Sequence, residues 1–111
     1  MKASELAQKC GFEIICKSDE DREVKGAYAC DLLSWVIGRA PENAAFITVM
    51  SNVNVIAVAV MAEASCVVLT EGVNLEKTAL DKALQNDIMV LKSMKDTYST
   101  CVDIYKACEQ K

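Results

Sequence analysis

The segment from Ala44 to Thr70 constrains the fold of this chain more than any other. It reads as an apolar strand, Ala45–Val49, then a polar hinge, Ser51–Asn54. A helix apolar almost all round follows, Val55–Ala62, and then a second apolar strand, Cys66–Leu69. A helix without a polar face has to be covered on several sides. A strand without polar alternation is usually covered on both faces, as in a parallel sheet. The segment is therefore a buried βαβ unit inside an α/β domain. No charge falls between Glu42 and Glu63, but Ser51, Asn52 and Asn54 interrupt the run. A membrane span would need about 20 consecutive apolar residues, so a strand–turn–helix reading is preferred.

The alternation continues to the end of the chain. The Cys66 strand is followed by a loop, Thr70–Asn74, and a helix from Leu75 to Gln85. That helix carries Leu75, Ala79, Leu80, Ala83 and Leu84 on one face. Ile88–Leu91 is a short strand. The last helix, Asp96–Glu109, is capped by Ser93 or Asp96, with Tyr98, Cys101, Val102, Tyr105 and Cys108 inward. Three strand–helix repeats favour a mainly parallel sheet with right-handed crossovers. The first half is less regular: a helix at Ser4–Cys10 stopped by Gly11, a strand at Phe12–Cys16, and a charged loop, Lys17–Arg22. A strand at Glu23–Tyr28 and a helix at Leu32–Ile37 follow, the helix capped by Asp31 and closed by Gly38 with Pro41 beyond. This half is expected to add an antiparallel or edge strand. The expectation for residues 1–111 is one three-layer α/β domain with a mainly parallel central sheet and βαβ crossovers.

Several function classes are excluded by what the chain lacks. It has no histidine, which removes Ser-His-Asp and Cys-His catalysis and histidine-based metal sites. Its four glycines are too dispersed for a P-loop or a Rossmann glycine fingerprint. A net charge of −4 provides no electrostatic footprint for nucleic acid. Six cysteines occur without a C-x-x-C pair, and most fall at apolar positions of the expected elements. They read as core packing, with a thiol-redox role as the alternative and a metal site as the remote one. Glu5 and Lys9 break any apolar run at the amino terminus, so the expectation is a cytoplasmic protein. No catalytic residue, cofactor or metal site is assigned.

Candidate ligand residues follow from topology. In parallel α/β sheets, ligands gather beyond the carboxyl ends of the strands. Here that edge presents Ser51, Asn52, Asn54, Thr70, Glu71 and Ser93 beside helix amino termini, which favour anions. A small anion or a nucleotide would suit them. The competing reading is helix capping and turn formation by the same residue types. Trp35 lies in Leu32–Ile37, apolar on more than one face, so it belongs either to the core or to a subunit interface made by Leu32, Leu33, Trp35 and Val36.

Three stretches carry a family resemblance. They are Val24-x-Gly26-x-Tyr28-x-x-Asp31-Leu32-Leu33-Ser34-x-Val36-Ile37-Gly38, then Phe46-Ile47-Thr48-Val49, then Asn54-Val55-Ile56-Ala57-Val58-Ala59. Together they resemble the DRTGG domain family from about Val24 to Ala107. The name-giving motif would lie in the hinge, which here is Met50-Ser51-Asn52-Val53-Asn54, so that motif is absent. The resemblance implies a regulatory or dimerising module, similar to the amino-terminal domain of HPr kinase/phosphorylase. It also resembles accessory domains of some phosphotransacetylases and regulated pyrophosphatases. Stand-alone members resemble proteins of anaerobes, some from iron-only hydrogenase neighbourhoods. The resulting expectation is a non-catalytic, homodimeric regulatory or scaffolding domain, with a protein partner or a small anionic ligand. A small-molecule sensor and a thiol-redox adaptor are the alternatives.

Overall fold

A computed structural model describes residues 1–109. The elements are α1 (Ala3–Cys10), β1 (Glu13–Cys16), β2 (Gly26–Ala29), α2 (Leu33–Arg39), β3 (Ala44–Thr48), α3 (Val53–Met61), β4 (Cys66–Leu69), α4 (Lys77–Gln85), β5 (Val90–Lys92) and α5 (Thr97–Glu109). The strands form one sheet in the order β1-β5-β4-β3-β2. Strands β2 to β5 are parallel, and β1 is antiparallel to β5 at the edge. The chain is thus a three-layer α/β domain with a mainly parallel sheet and βαβ crossovers, as the strand–helix alternation implied. The antiparallel edge strand comes from the first half, also as expected.

Every residue of β3 and β4 is buried. Period-2 alternation nevertheless sorts them onto two cores. Phe46, Val67, Leu69 and Val90 face α2, α3 and α4, packing on Val36, Val55, Ile56, Ala59, Ala79 and Ala83. Ala45, Ile47, Cys66, Val68 and Leu91 face α1 and α5, packing on Leu6, Ala7, Ile104 and Ala107. The apolar helix α3 is flanked by α2 and α4, which explains how it dispenses with a polar face. Its exposed residues are Asn54 in the first turn and Val60 and Met61 at the carboxyl end. No helix among the described residues is long and apolar enough to cross a membrane.

Four local expectations are corrected. Asp31 does not cap α2, whose N-cap position is Leu32 without a side-chain bond. Its carboxylate instead accepts from the Thr48 hydroxyl (2.8 Å) and the Val49 N–H (3.0 Å), tying β2's exit to β3's end. Strand β2 starts at Gly26 rather than Glu23 because residues 23 and 24 pair with the amino terminus. The Val24 N–H donates to the Met1 carbonyl at 2.8 Å, and Lys2 and Glu23 form an antiparallel bridge. Leu84 is exposed, because α4 approaches α3 through the small side chains of Ala79 and Ala83.

The fourth correction is the rotation of α5. Its buried stripe is Thr100, Ile104 and Ala107, not the expected Tyr98, Cys101, Val102, Tyr105 and Cys108. A threonine can take the inward position because its hydroxyl is matched by that of Ser93 across 2.7 Å. Tyr98 and Tyr105 are left 79% and 67% exposed.

Candidate functional site

All four parallel strands point the same way, so α2 to α5 begin at the edge where the expected ligand residues lie. The structure brings those residues to one edge but gives most of them internal tasks. The Asn52 side chain accepts from the Asn54 N–H at 3.0 Å and caps α3, as the hinge sequence suggested. The Thr70 hydroxyl lies 2.8 Å from that of Thr97 and is fully buried. The buried Ser93 hydroxyl meets Thr100 and also accepts from the Lys95 N–H at 3.2 Å. Thr70 and Ser93 therefore do not present hydroxyls to a ligand at the strand ends. They hold α5 onto the sheet. Glu71 takes a left-handed backbone (φ 62°) and donates its N–H to the Lys95 carbonyl. The Ser51 carbonyl accepts from the Glu76 N–H, and the Asn54 side chain is exposed. Ser51, Asn52, Asn54 and Glu71 are the members of the expected set at least partly open to solvent, and of these Asn52 is committed to the cap.

The expected interface set also separates. Val36 is completely buried and belongs to the core, since it faces the sheet from α2. Leu33 packs against the same core. Leu32 and Trp35 point outward, with Trp35 46% exposed. Its indole is covered on one face by the Arg39 guanidinium, 3.8 Å from the ring centroid.

Two of the larger concave surfaces among the described residues lie elsewhere. At the amino ends of the strands, a cavity of about 480 Å³ is lined by Lys2, Arg22, Glu23, Asn43, Glu63 and Asn86, among others. Its charged groups are largely paired within the fold. The Met1 ammonium lies 2.7 Å from Glu23, and Arg22 Nε lies 3.2 Å from Glu20. Arg22 also donates to the Asp87 carbonyl at 2.8 Å. The Asp87 carboxylate accepts from the N–H groups of Asp19 and Glu20, which hold its carboxyl below the usual aspartate range. Asn43, Glu63 and Asp87, each just before a strand or the turn into one, all have left-handed backbones. Asn43 and Asp87 are residue types that adopt this conformation readily, a signal legible in the sequence; Glu63 is not.

The second surface is a groove of about 800 Å³ between α5 and β2, lined by Gly26, Ala27, Ala29, Tyr98, Cys101 and Tyr105, among others. Tyr98, Cys101, Val102, Tyr105 and Cys108, expected to face the domain's own core, line this open groove instead.

Burial works against thiolate formation at four of the cysteines. All six are free thiols. Burial pushes the Cys66 thiol up to about 12 and the Cys10 thiol up to about 11, and it also raises Cys16 and Cys101. A nucleophilic cysteine needs the opposite shift. Among the described residues, no group of acidic or cysteine side chains could hold a metal ion, and no buried side-chain nitrogen or oxygen lacks a hydrogen-bond partner.

Comparisons with known proteins place this architecture. The profile of the DRTGG domain matches residues 5–107. No curated protein matches the chain. A similar solved structure holds the CBS and DRTGG domains of the regulatory region of Clostridium perfringens pyrophosphatase, complexed with the activator diadenosine tetraphosphate. The two superpose with a TM-score of 0.72 at 15% identity, over 95% of this chain and 46% of that one. This chain therefore spans less than half of that structure's length, and the likeness is one of fold.

Proposed function

This chain belongs to the DRTGG domain family, and we propose from that premise that it is a non-catalytic regulatory module acting as a homodimer. The observation that carries this reading is the state of the carboxyl edge of the sheet. There an α/β enzyme would keep its working groups. Here Thr70, Ser93, Asp31 and Asn52 are engaged with Thr97, Thr100, Thr48 and the Asn54 N–H. The domain also turns large apolar side chains outward: Leu32 at the N-cap of α2, Trp35 and Ile37 on that helix, and Tyr98 and Tyr105 on α5. Exposed apolar clusters mark interaction surfaces. A link to hydrogenase metabolism rests on the family resemblance alone. Two measurements test the reading. The purified chain should neither hydrolyse ATP nor transfer phosphate to HPr, and its mass in solution at micromolar concentration should be that of a dimer. Stoichiometric phosphate transfer that one substitution abolishes would overturn the first half, and a monomer mass the second.

A second reading, a small-ligand sensor, is favoured by the activator held in the similar pyrophosphatase region. In this chain the ligand would lie by Ser51, Asn54 and Glu71, at the amino end of α3. Diadenosine tetraphosphate, ATP and inorganic phosphate should then raise the melting temperature, because a ligand of the native state stabilises by mass action. Asn54→Ala should reduce that shift. An unchanged shift in the variant would remove the site.

A further inference from the structure

We propose that the α5–β2 face is a two-fold interface, on which a second copy of this chain seats its own α5. The proposal rests on the homodimer reading and specifies its surface.

Helix α5 carries two adjacent stripes. Thr100, Ile104 and Ala107 are buried against the sheet. Beside them Tyr98, Cys101, Val102 and Tyr105, spaced i, i+3, i+4 and i+7, line the open groove. That spacing makes a continuous ridge on a helix. Soluble helices place such a ridge against something. Within this domain nothing among the described residues covers the two tyrosines, which remain among its most exposed large side chains.

The trough beside the ridge has a sequence cause. Ala27 and Ala29 pair in register with Ala45 and Ile47, whose side chains face α5. The neighbouring strands put Ile47, Val68 and Leu91 into this layer. Strand β2 supplies only methyl groups, because its one large residue, Tyr28, packs on the opposite core. The floor over β2 therefore lies low next to the α5 ridge. A ridge and a trough side by side on one surface are self-complementary about a two-fold axis. An isologous interface requires that property, since each patch must fit a copy of itself.

Two further features select a second copy over another occupant. The rim carries charges of both signs, with Lys25 and Lys106 against Glu109. A two-fold axis can place the lysines of one protomer opposite the glutamate of the other. The two sheet edges also differ in protection. The β1 edge carries Glu13 and a register irregularity between Ile14 and Cys16. Charges and bulges of this kind blunt an edge against pairing. The β2 edge, Gly26-Ala27-Tyr28-Ala29, has no charge, proline or bulge. An edge left unguarded beside an uncovered apolar groove is consistent with one that is covered in the assembly.

Sedimentation velocity of the full chain, with hydrogen exchange read at two protein concentrations, tests this. The wild type should sediment as twice 12.1 kDa, and the amides of Gly26–Ala29 should become better protected as concentration rises. Ala27→Lys puts a charge on the trough floor and should weaken dimerisation by about tenfold or more, with an unchanged circular dichroism spectrum. If Ala27→Lys fails to fold, Tyr105→Lys, at an exposed helix position, gives the same reading. A monomeric wild type overturns both this interface and the homodimer. A dimer that survives Ala27→Lys and Tyr105→Lys but separates with Leu32→Ser or Trp35→Ser leaves the homodimer standing and moves the interface to α2. Concentration-independent protection of Gly26–Ala29 in a dimer also overturns the proposal.

Discussion

The hydroxyls of Ser93 and Thr100 sit 2.7 Å apart in a buried layer, one just beyond the end of β5 and the other in the first turn of α5. Thr100 also engages the Asp96 carbonyl at 2.8 Å, and Ser93 accepts from the Lys95 N–H. The pair fixes which stripe of α5 meets the sheet. Ser93→Ala removes the bond to the Thr100 hydroxyl and the acceptor of the Lys95 N–H and should cost about 1–3 kcal/mol. Thr100→Val alone should cost a similar amount. The double variant should cost less than the two singles added, because both single changes remove the same Ser93–Thr100 bond. Urea denaturation of the four proteins measures this, and strict additivity would show that the pair is not coupled.

Asn52 and Asn54 lie two residues apart and should behave differently. Asn52→Ala removes the cap of α3 and should cost about 1 kcal/mol, while Asn52→Asp should retain the cap. Asn54→Ala should change stability little, since its N–H, not its side chain, takes part in that bond. Thermal denaturation separates the two.

Acid should destabilise the fold through carboxylates that are hydrogen-bonded when ionised. The Asp19 and Glu20 N–H groups hold the Asp87 carboxyl below its ordinary 3.8. The Ser4 hydroxyl does the same for Asp21, and the Ser99 N–H for Asp96. A lowered folded-state value means that the native protein binds fewer protons than the unfolded chain in this range. The contribution is complete above the unfolded values and is lost as pH falls through the lowered ones. The urea midpoint should be level above about pH 5 and decline below it, with a shallower decline in Asp87→Asn. A midpoint that rises on acidification would contradict the assignment.

Thiol labelling should follow burial. The exposed Cys108 should alkylate first at pH 8, and Cys66, fully buried with its thiol pushed up to about 12, only on unfolding. Mass spectrometry of partially labelled protein gives the order. Early labelling of Cys66 in native protein would require local opening of β4.

The sequence was most legible where burial leaves little choice. Strands β3 and β4 are apolar on both faces and α3 has no polar side, so the βαβ unit they form in a mainly parallel sheet could be read directly. Asn52 was legible as a cap because few residue types serve there. Two kinds of feature were not. The antiparallel partner of β1 is β5, far along the chain, and no local pattern encodes a long-range pairing. The rotation of α5 depends on Ser93 and Thr100 satisfying each other, which makes a polar residue a core residue. Thr70 misled for the same reason: a hydroxyl at a strand end looks the same in sequence whether it meets a ligand or Thr97.

The pairing of β1 with β5 also bears on how the chain folds during synthesis. Of the five strands of this sheet, the first to leave the ribosome is the one whose partner, Val90–Lys92, emerges after the other four. Strands β2, β3 and β4 can assemble in turn, each beside its predecessor. Helix α1 and β1 must wait, since the helix they pack beside and the strand they join are α5 and β5. A nascent chain halted before Val90 would hold Leu6, Ala7 and Phe12 without their cover, and is a form that a chaperone would recognise.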